Sequence, residues 1–280
     1  MGLRMQKFCY HFFIILFAVF MLYPLLWMLS ASLMTNADIF AGSGINLIPR
    51  NPSFDNYITG WAGVAGFSFG RFFANSFFLA AVAIIGNIIS CSMAAFAFAK
   101  LKAKGTGIMF TLMLVTMMLP GHVRLIPTYV IFNHLGWINT FLPLTVPAFF
   151  ATNGFFIFLM VQFMRNISNE LLEAPRIDGC NTFQMYIYFI MPLSLPALIT
   201  VAIFTFIGSW NDFFSHMIYL TSPSRFTVTL ALRMFVDPTG TSAWGVLFAM
   251  STLSLIPLFA VFVAFQKYLV EGIQAGSLKG

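Results

Sequence analysis

Charge is what this chain has least of. Lys, Arg, Asp and Glu make up 8% of its 280 residues, and eight of those side chains are acidic. Soluble domains carry about 25% charged residues. So few charges cannot cover a water-exposed surface of this size, which excludes a soluble globular protein. Cysteine is scarce too. Cys9, Cys91 and Cys180 are an odd number without pairing or ligand spacing, and read as small apolar fillers. No G-x-x-x-x-G-K-[ST] segment exists, so the chain cannot hold ATP in the P-loop manner. His11, His122, His134 and His216 are scattered without metal-ligand spacing. No carboxylate falls in the middle of a long apolar run, where proton- and ion-coupled pumps commonly carry one. Asp212 and His216, near the end of such a run, come nearest. The lack of any catalytic constellation weighs against an enzyme, and no basic patch suited to nucleic acid is present.

Apolar sequence fills the space that charge leaves. Hydrophobic residues reach 60%, with 36 Phe, and the mean hydropathy is +0.90. A helix needs about 20 mostly apolar residues to cross the hydrocarbon of a bilayer. Charge-free runs cover 8–37, 72–99, 105–123, 125–164, 179–211 and 238–266. The run 125–164 is too long for one span. Its first part carries Pro127, Asn133, Gly136, Trp137, Asn139 and Thr140 and reads as a loop. The expectation is an all-α polytopic membrane protein, a single transmembrane domain over 1–280, with six transmembrane helices near 12–33, 72–99, 107–125, 142–163, 193–211 and 244–266. Long continuous runs, in place of short alternating strands, argue against a barrel. The N-terminal run is longer than a signal peptide's, contains Pro24 and Trp27 and lacks a small-x-small cleavage site, so it reads as the first span.

Lys and Arg favour the cytoplasmic side. With both termini inside, nine of the 14 basic residues are cytoplasmic: Arg4, Lys7, Lys100, Lys102, Lys104, Arg165, Arg176, Lys267 and Lys279. The net charge of +6 therefore reports orientation. The largest inner loop is then 165–191. Within it, acids open a helix at Glu170 and Glu173, where the helix dipole favours them. Leu171, Leu172, Ala174 and Ile177 form an apolar stripe at helical spacing, with Asp178 beside it. Gly179 lets the chain turn. Interfacial helices usually carry Lys or Arg on their polar face. This one is led by acids, so a protein partner is favoured over a lipid surface.

Glu173-Ala174-Pro175, then Gly179 three residues on, then Phe189, Met191 and Pro192, resembles the cytoplasmic loop of ABC-importer permeases. That loop has the form E-A-A, three residues, G, nine residues, I-x-L-P. Pro175 replaces the third small residue, Phe189 the isoleucine and Met191 the leucine. Further segments resemble the second-permease branch of carbohydrate importers, of which the maltose transporter is the best-known type. They are Asn75-Ser76, the stretch 94–100, Leu125-Ile126-Pro127, Leu135-Gly136-Trp137-Ile138-Asn139-Thr140, Trp210-Asn211-Asp212-Phe213 and the tail Ala275-Gly276-Ser277-Leu278-Lys279-Gly280.

This resemblance implies a type I ABC-importer permease in a bacterial inner membrane. It implies four partners besides lipid: a second homologous permease, a cytoplasmic ATPase dimer, an extracytoplasmic solute-binding protein and a sugar or oligosaccharide. No cofactor sits in the chain itself; ATP and Mg belong to the ATPase. The docking loop would comprise Glu170, Leu171, Leu172, Glu173, Ala174, Pro175, Ile177, Asp178 and Gly179. The tail residues Gln274, Gly276 and Lys279 would also reach the ATPase. Asn153, Gly154, Gln162, Trp210 and Asn211 are candidates for the translocation pathway. Each also has a plainer reading: Trp210 as part of an interfacial aromatic belt, and Asn153 and Gln162 as interhelical glue. Two other readings stand beside sugar import: the same machinery with a non-sugar solute, and an ion-coupled secondary carrier.

Overall fold

The computed structural model describes residues 2–41, 47–101, 103–236 and 242–277, with backbone only at 2–5, 122 and 269–277. Long apolar runs become long helices. In chain order the main ones are α1 (Gly2–Ala31), α2 (Phe69–Lys100), α3 (Thr106–Met117) and α4 (Gly121–His134). They continue with α5 (Gly154–Arg165), α6 (Glu170–Ile177), α7 (Leu195–Asn211), α8 (Phe214–Tyr219) and α9 (Trp244–Ser277). Among the described residues, four stretches are long and apolar enough to cross a membrane: Gln6–Ala31, Phe69–Lys100, Leu142–Arg165 and Trp244–Tyr268. The pair Thr182–Leu193 and Leu195–Asn211, bent by 77°, makes a fifth if counted as one span.

Two expectations need correction. A span was expected near 107–125, but α3 stops at Met117 after 12 residues. At about 1.5 Å per residue that is some 18 Å, short of the hydrocarbon thickness. Pro120, at the N-cap of α4, is the cause: it lacks an N–H and disfavours helix in the residue before it. The stretch after Leu125 was expected to be a loop. Instead α4 runs through Pro127 and ends at His134. The turn comes later, at Gly136, whose φ of +69° only glycine adopts freely. There the Trp137 N–H reaches back to the Phe132 carbonyl at 2.9 Å and closes the helix. The expected span 142–163 is helical but not uniform. A 3₁₀ turn, Val146–Phe150, precedes a break at Ala151, and Pro147 lies inside that turn.

The chain divides into two compact units. The first holds residues 1–71 and 231–256. There α1 is exposed along nearly its whole length, and its end packs Ala31, Met34 and Ile39 beside Trp27, Trp244 and Phe248. Two asparagines clamp this unit. Asn36 donates to the Ser242 carbonyl at 2.9 Å and accepts from the Gly245 N–H at 3.1 Å. Asn56 donates to the carbonyls of Ser32 and Met34, each at 2.8 Å.

The second unit holds residues 72–230 and 257–280. Its core gathers Cys91, Ala95 and Phe96 of α2, Phe156, Met160, Val161 and Met164 of α5, and Leu198 and Val201 of α7. Polar links tie these helices together, as expected where lipid supplies no hydrogen bonds. Asn87 donates to Thr205 Oγ1 at 3.3 Å, and Ser90 Oγ to the Ala148 carbonyl at 2.6 Å. The Asn75-Ser76 pair holds a returning segment: Asn75 donates to the Phe226 carbonyl at 2.9 Å, and Ser76 Oγ accepts the Val228 N–H at 3.0 Å. Asn139 does similar work. With φ at +57°, tolerable for asparagine, its Oδ1 accepts from the N–H groups of Thr221 and Ser222.

His216 sits in this unit at 2% exposure, its Nδ1 2.9 Å from Thr227 Oγ1. Burial pushes its pKa below the ordinary 6.5, and the nearby Asp212 carboxylate partly opposes this. The ring is therefore neutral at pH 7 in the folded chain. Its contribution to stability is complete above pH 6.5 and is lost as the pH falls through the lower folded value. The purified chain should melt at a lower temperature at pH 5 than at pH 7.5. In His216→Gln that difference should shrink; an undiminished one would place the acid sensitivity elsewhere.

Candidate functional site

Two places concentrate polar groups against apolar walls. The first is α6 with its flanks. Glu170 and Glu173 lie in its first turn and Arg176 in its last, in accord with the helix dipole. Leu172 and Pro175, one turn apart, are buried under it. Leu171 is 54% exposed and Ile177 85%, while Ala174 is also open. The apolar residues therefore split into two stripes. One is satisfied by the protein's own core and the other faces outward. Pro175 lies inside the helix, where it cannot bond back to the Leu171 carbonyl. Its ring fills a buried position, and its own carbonyl accepts the Cys180 N–H at 2.9 Å. Gly179, at φ +87°, makes that closure possible. Past it, Asn181 and Gln184 form a reciprocal capping box that starts the next helix. Beside the exposed stripe lies a cleft of about 550 Å³ between Leu171, Ala174 and Asp178 on one side and Tyr188, Phe189 and Pro192 on the other.

The second place is a larger pocket of about 820 Å³. Arg124, Thr128 and Phe132 of α4 line it with Trp137. Asn153 and Gly154 enter from the start of α5, and Asp212, Ser215 and Tyr219 from the end of α7 and α8. Asn153 caps α5 by accepting the Phe156 N–H at 3.3 Å. Asp212 accepts the Ser215 N–H at 2.9 Å. Burial, then the Asp212 charge, raise the Tyr219 phenol's pKa and keep it neutral. Among the described residues the Arg124 guanidinium makes no ion pair. Trp137 stacks on Phe132 at 5.3 Å and 21°, giving the pocket an aromatic wall.

The five expected pathway residues separate here. Asn153 and Gly154 line the pocket. Gly154 is needed for close approach, since a Cβ there would stand 2.7 Å from Met117 Cγ. Gln162 is half-buried two turns further along α5, away from the pocket lining. Trp210 is 2% exposed, packed against Phe73, Phe77 and Phe206 at 4.8–5.6 Å. It is a core residue. Asn211 ends α7 on an exposed face. Of the tail, Gln274 and Gly276 belong to the backbone of α9 without described side chains, and Lys279 lies outside the described residues, as does Lys102 after α2. The sequence reading missed Arg124, Thr128 and Tyr219 as pocket residues. Arg124 is the lone cation between the apolar runs 105–123 and 125–164, which is itself a signal.

Comparison with known proteins agrees with this arrangement. Residues 86–274 match the family described as binding-protein-dependent transport system inner membrane component. A putative ABC transporter permease protein, ORF2, of Caldicellulosiruptor sp. (strain Rt8B.4) is 34% identical over 92% of this chain and 91% of its own length. The arabinooligosaccharides transport system permease protein AraQ of Halalkalibacterium halodurans is 30% identical over 96% of this chain and 94% of its own. Among solved structures, a bacterial ABC transporter involved in import of the acidic polysaccharide alginate superposes with a TM-score of 0.83 at 25% identity. That match covers 95% of this chain and 96% of the other. The chain thus belongs to the inner membrane components of binding-protein-dependent transport systems, as a permease subunit of an ABC importer whose ATPase is a separate chain.

Proposed function

We propose that this permease imports a sugar or oligosaccharide by alternating access, and that the 820 Å³ pocket is part of its route. The observation that carries this reading is the pocket's mixed lining. Aromatic faces, an amide, hydroxyls and one charge of each sign suit a polyhydroxylated solute. The cleft on α1, walled by Tyr10, Phe13, Ile14 and Phe17, is almost wholly apolar and suits lipid or another helix. The relatives named for arabinooligosaccharides and alginate point the same way.

The remaining machinery follows the same reading. Residues 1–280 work as one permease domain, with six passages of the bilayer and both termini in the cytoplasm; α3, too short to cross alone, makes its passage together with the start of α4. A second, homologous permease completes the route, and a solute-binding protein delivers cargo from outside. An ATPase dimer receives the stretch Glu170–Gly179, with Gln274, Gly276 and Lys279 as further contacts. The acids of α6 and its outward apolar stripe support this docking role.

The test is uptake into vesicles carrying the complete complex, with a panel of labelled sugars. Disabling ATP binding in the partner ATPase is expected to abolish uptake, and a protonophore to leave it intact. The reverse pattern would mean an ion-coupled carrier. Arg124→Gln keeps an exposed polar residue and should leave assembly unchanged. Loss of a charged hydrogen bond to cargo, about 1.5–3 kcal/mol, should lower uptake about tenfold or more. Undiminished uptake would remove the pocket from the route.

A further inference from the structure

Lys100 is the last residue of α2, and its ammonium does not seek an acid. It donates to the carbonyl of Ile167 and, at 3.0 Å, to Oδ1 of Asn169. Both acceptors lie immediately before α6, 67 and 69 residues further along the chain. Asn169 occupies the N-cap position of α6. Asparagine is favoured there because its oxygen accepts a free N–H of the first turn. In this chain that oxygen makes no cap bond. Ser168 Oγ accepts the Glu170 N–H instead, at 3.2 Å. The asparagine side chain is therefore given over to Lys100.

A cation at a helix C-terminus is favourable by itself, because it faces the negative end of the dipole. That explains a Lys at the end of α2 but not its two acceptors on another element. The other fastenings of α6 are apolar or local, and the apolar one shares its core cluster with Cys91, Ala95 and Phe96 of α2. Leu172 joins the core cluster, and the Gly179 turn leads to the capping box at Asn181. Lys100 is the polar link from the start of α6 to a 32-residue helix that fits a membrane span.

We propose that Lys100 is the joint through which displacement of the docking helix α6 reaches α2, and so the far end of the transport route. The proposal rests on the docking role assigned above to α6. If the ATPase shifts α6, two charge-assisted hydrogen bonds carry the end of α2 with it. Without them only the non-directional apolar packing around Leu172 joins α6 to α2, α6 slips against it, and ATP is hydrolysed without turning the route. Lys100 is a positioning residue here and touches neither cargo nor nucleotide.

The complete complex in proteoliposomes provides the test, with no need to know the cargo. Phe150 is 73% exposed and lines the large pocket. In a Phe150→Cys chain, the rate of labelling by a membrane-impermeant maleimide reports access to that pocket, with the unsubstituted chain as blank. With Lys100 present, ATP plus vanadate should change that rate about fivefold or more. In Lys100→Met the change should fall below twofold while the ATPase still co-purifies and still hydrolyses ATP. Lys100→Arg keeps the donors and should restore it. Asn169→Leu, on an exposed residue, should remove about half of it and serves if Lys100→Met does not accumulate. An unaltered response in Lys100→Met or Asn169→Leu overturns the proposal. So does loss of the ATPase from Lys100→Met, which would make Lys100 an anchor for docking, or failure of Lys100→Arg to restore the response. No response even with Lys100 present would instead overturn the docking role of α6 itself.

Discussion

Leu171→Asp is expected to strip the ATPase from the complex, while Leu172→Asp, one position later, destroys the chain's own fold. The two residues are chemically identical and sit on the same short helix, but they point about 100° apart and into different surroundings. Leu171 is 54% exposed and borders the 550 Å³ cleft, whereas Leu172 is 8% exposed within the core. A carboxylate at 171 meets water in the free chain and costs little there. Against an apolar partner surface it is left unsolvated, and the loss of a central contact weakens attachment by about 2–4 kcal/mol. That is about thirtyfold or more in affinity. A carboxylate at 172 loses the leucine's packing, worth about 2–5 kcal/mol, and buries a charge without a partner besides. Leu171→Asp should reach the membrane in normal amount, elute as a single species, bring down almost no ATPase and give uptake near background. Leu172→Asp should fail to accumulate. If Leu171→Asp retained its ATPase, the outward stripe of α6 would not be the docking face.

Gly86→Leu is expected to prevent folding of the second unit. A Cβ at Gly86 would lie 2.9 Å from both Ala148 Cβ and Phe149 Cδ2, and 3.0 Å from the Ala148 carbonyl carbon. The opposing segment cannot simply retreat. Ser90, one turn along α2, donates to the Ala148 carbonyl at 2.6 Å. Moving the segment away would break that bond where no water replaces it. Gly86→Ala should cost about 1–3 kcal/mol by overpacking, seen as a lower melting temperature of the purified chain. The leucine adds three more carbons at a closed contact and should leave little chain in the membrane. Gly208→Ala is the control, because a Cβ there meets nothing within 4 Å. Equal accumulation of Gly86→Leu and Gly208→Ala would mean that α2 and the 3₁₀ turn Val146–Phe150 are not held as close as described.

The ease with which these features could be read from sequence differs for physical reasons. Apolar length is a one-dimensional property, so α1, α2 and α9 were legible at once. Helix α6 was legible because its acids and Gly179 mark its two ends within ten residues of chain, although the split of its apolar residues into a buried and an outward set was not. Proline misled in both directions. Pro127 has the look of a loop residue but is accommodated inside α4, while Pro120, within an expected span, ends the third apolar helix early. A proline removes the same N–H in either place; Pro127 sits exposed within α4, whereas Pro120 stands at the N-cap where one helix gives way to the next. The pocket was least legible, because its wall comes from segments far apart in sequence. Asn153 and Gly154 stood out as polar and small within an apolar run. Trp210 stood out for the same reason of contrast, but the large indole was recruited to fill space among Phe73, Phe77 and Phe206. Single residues reveal that they are unusual; only the fold decides whether they line a route or plug a gap.

The brevity of α6 has one more consequence. Eight residues cannot hold a helix in water by themselves, because nucleation is too unfavourable to be repaid by so few bonds. Its order comes from Leu172 and Pro175 seated beneath it and from the closure at Gly179. In the docking role proposed for α6, the free permease would offer a shaped, preorganised surface, and association would not have to supply the entropy of ordering that segment. A rigid element is also what a lever requires: force applied to a disordered loop would be spent on straightening it.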